Sequence, residues 1–300
     1  MRRQNRSMAS HSPVGIVGIG NMGLAMALRL RDGGRQVVVR DLDERREAIA
    51  RRAGATVADS AADLAARCEI VIIAVVDAAQ SQAVLFGAGG LVEGLRRGAC
   101  VMLCPTIGPE STEAIAARLD ALGFSCIDAP MSGGPARARD GSMSLMVACA
   151  DVVFDAHHEL LASLSSHLFR VGTRPGDGAR TKLVNNLLAA INLAGAAEAM
   201  ALAERVGLDA ARTLDVIEQS SGQSWIGSDR MRRALAGDLA PRAHTTLLAK
   251  DAALALAMAA SAGLEVRLGS AAGTTFDVAV RAGRGALDDA SLLDHLRASR

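Results

Sequence analysis

Aromatic side chains are almost missing from this 300-residue chain: it has no tyrosine, one tryptophan and five phenylalanines. That excludes the stacking platforms used for exposed bases. Charge of one sign is missing too, since 33 basic and 32 acidic residues are intermixed along the chain. No basic face for nucleic acid is left. HxH, HExxH and clustered acids are absent, so no metal site is indicated. Cys68, Cys100, Cys104, Cys126 and Cys149 lack CxxC spacing and fall mostly in apolar runs. They imply buried thiols in a reduced, intracellular protein. Residues 1–12, MRRQNRSMASHS, carry three arginines but no apolar h-region. They read as a disordered leader, not a signal peptide. The most apolar stretch, Leu183 to Ala203, is interrupted by Asn185, Asn186, Asn192 and Glu198. Each would be costly in lipid, so a helix buried between protein layers is expected instead of a membrane span. These absences together describe a soluble, cytoplasmic protein with no nucleic-acid or membrane partner.

Half of the residues are hydrophobic, enough for one large or two ordinary cores. From residue 13, short β-branched runs alternate with helical patterns. Strands are expected at 14–19, 36–41, 69–76, 99–103 and 124–128, with helices near 22–32, 43–53, 78–86 and 109–122. Two more strand candidates, 144–150 and 167–172, flank a helix at 151–163. Buried strands alternating with helices imply a parallel sheet covered on both faces. After Gly178 only helical patterns remain, near 209–219, 226–235, 245–262, 266–282 and 288–297. The run from Gly178 to Gly207 holds no proline and is rich in Ala and Leu, the mark of one very long helix. The expected architecture is an α/β Rossmann-type domain over 13–174 and an all-α domain over 175–300, joined by that helix. So much Ala and Leu surface on the helical domain must be covered, which predicts a homodimer or homotetramer.

Gly18, Gly20 and Gly23 form GxGxxG, with Ile19, Asn21 and Met22 between them, after an apolar strand and at the opening of a helix. The first glycine permits the tight turn, the second lets a pyrophosphate approach the backbone, and the third lets helix and strand pack closely. Asp41 ends the next strand, twenty-one residues after Gly20. A carboxylate there accepts both ribose hydroxyls and repels a 2′-phosphate. It also fits as the cap of the following helix. NAD is therefore the expected cofactor, while Arg40, Arg45 and Arg46 nearby soften the preference enough to admit NADP. Further on, the segment from Asp128 to Pro135 leaves a strand and is read as continuing neither as helix nor as sheet. Its Ser132, Gly133 and Gly134 offer a hydroxyl and unencumbered N–H groups, either a plain turn or a concavity for a carboxylate. Lys182 opens the long helix, with Asn186 four residues on along the same face. By residue type alone such a lysine is an ordinary snorkelling side chain.

GIVGIGNMG, DAPMSGG, GDGARTKLVNN and LLAKDAAL, in this order and spacing, resemble the β-hydroxyacid dehydrogenase family, the 3-hydroxyisobutyrate dehydrogenase-like proteins. The resemblance runs from about Val14 to the C-terminus. Within the family, VVDAAQSQAVLFG, FRVGTRPGDG, GAAEAMALAERVG and GQSWIGSDRMR look closest to the branch acting on L-threonate. The resemblance implies an NAD(P)-dependent oxidoreductase acting on a small hydroxy acid, with Lys182 catalytic and Asn186 contacting substrate. It makes Ser132, Gly133 and Gly134 the substrate loop, and Thr106 and Lys250 cofactor contacts beside the nicotinamide. It places Val76 under the adenosine side. Pro105 departs from the serine common in the family and supplies neither hydroxyl nor N–H.

Elementary chemistry agrees. Moving hydride from an alcohol needs a base for the hydroxyl proton, and none of the six histidines stands in a motif. A lysine in a dry cleft between the domains loses proton affinity and can fill that role. Alternatives are a tartronate or succinic semialdehyde-type reductase of the same family and a non-catalytic dinucleotide-binding module. Imine reductases share the architecture, but Lys182, which they often replace, is present.

Overall fold

The structure, a computed structural model, describes residues 12–298. Of the expected leader, all but Ser12 lies outside the described residues. Two compact units divide the chain, the first ending at Ala179 and the second beginning at Arg180.

In the first unit the strands are β1 (Val14–Val17), β2 (Val37–Arg40), β3 (Thr56–Val57), β4 (Ile70–Ile73), β5 (Cys100–Leu103), β6 (Ser125–Asp128), β7 (Met131–Ser132), β8 (Ser144–Ala148) and β9 (His167–Gly172). Its helices are α1 (Asn21–Asp32), α2 (Glu44–Arg52), α3 (Ala61–Arg67), α4 (Ala78–Phe86), α5 (Leu91–Gly94), α6 (Pro109–Ala121), α7 (Gly134–Asp140) and α8 (Asp151–Leu164). One sheet runs in the order β3-β2-β1-β4-β5-β6-β8-β7, and β9 pairs with β8. Pairing is parallel from β3 to β6; β8 then joins β6 antiparallel, and β9 runs parallel to β8. Chain order turns back at β1, which lies between β2 and β4. Ligands of such sheets sit beyond the strand ends at that switch point.

The short strands are apolar on both faces because both faces are covered. Ile16, Val39, Ile72 and Met102 join one cluster with Met26 and Leu30 of α1 and Leu160, Leu161 and Leu164 of α8. Their alternating neighbours Val17, Val38, Val71, Ile73, Val101 and Leu103 join a second cluster with Leu64, Leu85, Ile115 and Leu119. All five cysteines lie in this unit, four buried and Cys126 partly so. Burial raises the proton affinity of each thiol, of Cys68 to about 12 and of Cys149 to about 11.

Several elements depart from the expectation. The strand expected at 14–19 ends at Val17, because Gly18 turns into the left-handed region. β3, α3 and α5 are too short to leave a periodic trace. The segment after β6 was expected to be neither helix nor sheet, and it is both. Met131 and Ser132 pair with Leu145 and Ser144, and α7 starts at Gly134. Pro135 sits in the first turn of α7, where its missing N–H costs nothing and its fixed φ suits a helix.

In the second unit, α9 (Asp177–Arg205, its first three residues still in the first unit) is followed by α10 (Ala210–Glu218), α11 (Trp225–Leu235), α12 (Thr245–Ser261), α13 (Arg267–Ala279) and α14 (Leu292–Ala298). α9 has the length and composition of a membrane span. Its apolar side is used inside the protein: Ala190, Leu193, Ala197, Met200 and Ala201 pack with Leu214, Met231, Leu248, Phe276, Leu292 and Leu293. The helix expected at 266–282 changes at Val280 to wider π-type turns, and Gly283 takes a left-handed φ of 82°.

Candidate functional site

Residues of the first unit gather where the parallel strands end. The motif glycines are required by the loop itself. Gly18 has φ +86°, and a Cβ on it would lie 2.9 Å from the Ala74 carbonyl carbon and oxygen, beyond β4. On Gly23 a Cβ would come within 2.0 Å of the Gly18 carbonyl oxygen. On Gly20 it would approach only the Arg46 guanidinium, at 3.3 Å, so the backbone there is open. Asn21 is exposed and starts α1, while Met22 tucks against the core. No side chain caps α1 and no acid lies in its first turn. That leaves the positive end of the helix for an anion, as a pyrophosphate requires. These residues fit a dinucleotide.

Asp41, one residue past β2, accepts hydrogen bonds from Ile19 N–H at 2.7 Å and Asp43 N–H at 2.9 Å. Its carboxylate ties the glycine loop to the end of β2. The reading of Asp41 as a helix cap is corrected: α2 is capped by Asp43, which accepts Arg45 N–H at 3.0 Å. The two-residue offset follows from the bond between the two aspartates, because Asp41 holds Asp43 in the extended cap conformation. Arg46 stands 4.0 Å from Asp41, and both line an open depression of about 590 Å³ with Leu42, Asp43, Glu44 and Arg45. Val76 follows β4 and is half exposed, its N–H donated to Gln80 Oε1 at 3.0 Å. Thr106 follows β5 and is partly buried. Ser132 to Gly134 lie beyond β6, with φ of 120° at Gly133 and 76° at Gly134. A side chain on Gly133 would also run into Arg137, 2.7 Å away.

In the second unit a different cluster forms. Lys182 and Asn186, one turn apart on α9, are both buried, at 6% and 8% exposed. Burial lowers the Lys182 pKa from 10.5 to about 8; the Asp251 charge opposes the shift and the Lys250 charge adds to it. Asn186 Nδ2 donates to Asp251 Oδ2 at 2.6 Å, and its Oδ1 accepts from Asn185 Nδ2 at 3.0 Å. Lys250 Nζ lies 2.9 Å from Asp251 Oδ1. Lys182, Asn186 and Lys250, 64 to 68 residues apart across α9 and α12, thus share Asp251 as the central charge. Asp251 escaped the sequence reading. Its signal was an acid inside LLAKDAALALA, a run otherwise suited to burial.

Residues 13–172 match the family described as the NAD binding domain of 6-phosphogluconate dehydrogenase. Residues 176–296 match the one described as NAD-binding of NADP-dependent 3-hydroxyisobutyrate dehydrogenase. The chain is similar to L-threonate dehydrogenase of Cupriavidus necator, 36% identical over 93% of this chain and 94% of that one. The mitochondrial 3-hydroxyisobutyrate dehydrogenase of Rattus norvegicus is 33% identical, over 98% of this chain and 89% of its own. Among solved structures, a 3-hydroxyisobutyrate dehydrogenase from Salmonella typhimurium superposes with a TM-score of 0.89 at 34% identity, covering 95% of this chain and all of that one.

Proposed function

The chain belongs to the 3-hydroxyisobutyrate dehydrogenase-like family of β-hydroxyacid dehydrogenases, and on that premise we propose that it oxidises a small hydroxy acid of the L-threonate or 3-hydroxyisobutyrate kind with Lys182 as general base. Dehydrogenase chemistry and dependence on a nicotinamide dinucleotide come with the family. The observation that carries the role of Lys182 is a lysine buried to 6% exposure, with its pKa brought down to about 8. When bound, the dinucleotide would supply the hydride acceptor for oxidation of the alcohol and the hydride donor for the reverse reduction. Neutral Lys182 Nζ accepts the hydroxyl proton in oxidation. As an ammonium it polarises the carbonyl oxygen in reduction and gives the proton back. Asp251 aims the Asn186 amide, which holds the substrate carboxylate or hydroxyl without adding charge. Ser132, Gly133 and Gly134 cradle the carboxylate.

Gly18, Gly20 and Gly23, with Asn21 and Met22, would hold the pyrophosphate, and Val76 would serve the adenosine side. Thr106 in the first unit and Lys250 in the second would each be a contact for the nicotinamide end. Asp41 favours NAD, since its oxygens keep lone pairs for the ribose hydroxyls. Arg46 beside it leaves NADP usable. L-Threonate is favoured among substrates by the similarity to the enzyme of that name, and Pro105 offers a substrate neither hydroxyl nor N–H. We place the enzyme in the cytoplasm as a homodimer or homotetramer, for which the exposed Val184, Leu188 and Leu202 of α9 and Val206 just after it speak. The test is single-turnover hydride transfer in Lys182→Ala at saturating cofactor. Loss of at least about a hundredfold is expected, and near-normal turnover would refute the role. A panel of hydroxy acids with NAD and with NADP, followed by reduced-nicotinamide absorbance, settles substrate and cofactor.

A further inference from the structure

Asp128, the last residue of β6, is 2% exposed. One oxygen, Oδ2, accepts the N–H of Gly176 at 2.8 Å and of Ala179 at 3.0 Å. The carboxylate also accepts the N–H of Gly178. These donors belong to the first turn of α9 and the residue before it. Helices expose such N–H groups at their start and usually cap them with the side chain just ahead. Here that residue is Gly176, with φ +103° and no side chain to offer. The cap comes instead from 48 residues upstream.

The surroundings are shaped for this approach. A Cβ on Gly178 would sit 2.8 Å from Asp128 Cγ and from the Met146 carbonyl oxygen. One on Gly172 would collide with the Asp177 carboxylate at 2.3 Å. Substituting either glycine would push the helix start away from Asp128. We propose that Asp128 is a positioning residue for the dehydrogenase reaction: its carboxylate gathers the N–H groups of Gly176, Gly178 and Ala179 and so fixes the start of the helix that carries Lys182. The proposal rests on reading Lys182 as the acid and base.

A negative charge at a helix start interacts well with the helix dipole, yet this one is kept ionised at a cost. Burial raises its pKa to about 6 against the three N–H bonds that lower it, and the neighbouring Asp177 carboxylate adds to the rise. The other groups facing it are the thiols of Cys104, Cys126 and Cys149, all neutral across the working range. An acid with a raised folded pKa favours folding when protonated. That contribution is lost as pH rises from the ordinary value of 3.8 through about 6. At pH 7.5 the charged carboxylate therefore burdens folding while it holds the helix start.

Stability and turnover should accordingly part company in Asp128→Asn, which keeps an acceptor oxygen and removes the charge. Single-turnover hydride transfer at pH 7.5 should fall about tenfold, in keeping with a lost charge-assisted bond. NAD affinity should be unchanged and Tm equal or higher. In wild type the rate should decline as pH falls through about 6, and this limb should vanish in the variant while the Lys182 limb near 8 remains. Hydrogen exchange on wild type provides a check that needs no variant to fold. Corrected for intrinsic rates, protection of the Gly176, Gly178 and Ala179 amides should drop between pH 7.5 and 5. Wild-type turnover in Asp128→Asn, a retained acid limb, or pH-independent protection of these amides would each overturn the proposal. Normal turnover in Lys182→Ala would instead refute the underlying reading, and it would leave the amide protection as described.

Discussion

The two halves of the chemistry are built in opposite ways. At the glycine loop the first unit works with backbone and with what is missing: no Cβ at Gly18 or Gly23, and no side-chain cap and no acid in the first turn of α1. Around Lys182 the second unit works with side chains that would be unwelcome in a core, two lysines, an asparagine and an aspartate, three of them buried. In the proposed reading the loop would bind by steric permission, which tolerates no added atom at Gly18 or Gly23. The lysine cluster would work by electrostatic balance, which tolerates atoms but not changes of charge. Damage at the first should therefore appear as lost affinity, and damage at the second as lost rate.

The sharpest separation comes from exchanging the kinds of damage. Lys182→Arg keeps a cation but cannot surrender its proton, so kcat should fall by at least about a hundredfold with NAD affinity and Tm near wild type. Gly23→Ala places a methyl 2.0 Å from the Gly18 oxygen. NAD affinity, measured by titration calorimetry, should drop more than about tenfold, while Lys182 keeps its titration. A normal NAD affinity would mean that the loop is not the pyrophosphate site. Gly133→Val, strained by its φ of 120° and by Arg137, should raise substrate KM by about tenfold and leave NAD binding alone. A matching loss of both would mark the segment as structural.

Asp251→Asn tests the balance directly. Removing the charge that holds Lys182 up should move the pH midpoint of oxidation below about 8, with a loss of rate near tenfold, about 1.4 kcal/mol. A midpoint unmoved or raised would show that Asp251 does not govern the lysine. The smallest effect concerns stability. A lysine with a depressed folded pKa disfavours folding while charged, and that burden lifts only as pH rises from about 8 to 10.5. Lys182→Met should thus melt a few degrees higher at pH 7, by roughly the shift that 1–2 kcal/mol gives, and the gain should shrink toward pH 10.

What could be read from the chain follows the same divide. GxGxxG after an apolar strand is a local pattern with a steric cause, and the alternating strands and helices of the first unit and the helices of the second were legible from local patterns too. Asp41 stood out as the acid that ends β2's run, but its latch on Ile19 could not be read, since hydrogen bonds across 22 positions leave no local mark. The segment after β6 misled because glycine and proline read as breakers, while Pro135 is well placed at a helix start. Asp251 and Asp128 were missed because each gains its meaning from partners 48 to 65 positions away.

The distribution of thiols gives the protein a built-in clock. Every cysteine belongs to the first unit and is wholly or partly covered, and none titrates near neutral pH. A thiol reagent can therefore reach Cys100 or Cys104 only when the sheet around them opens. The rate of labelling at these two buried thiols, followed by mass, counts the openings of the dinucleotide-binding unit alone. Unfolding confined to the helices after Arg180 leaves it silent. The first unit can thus be timed by itself in the intact chain, without introducing a single probe.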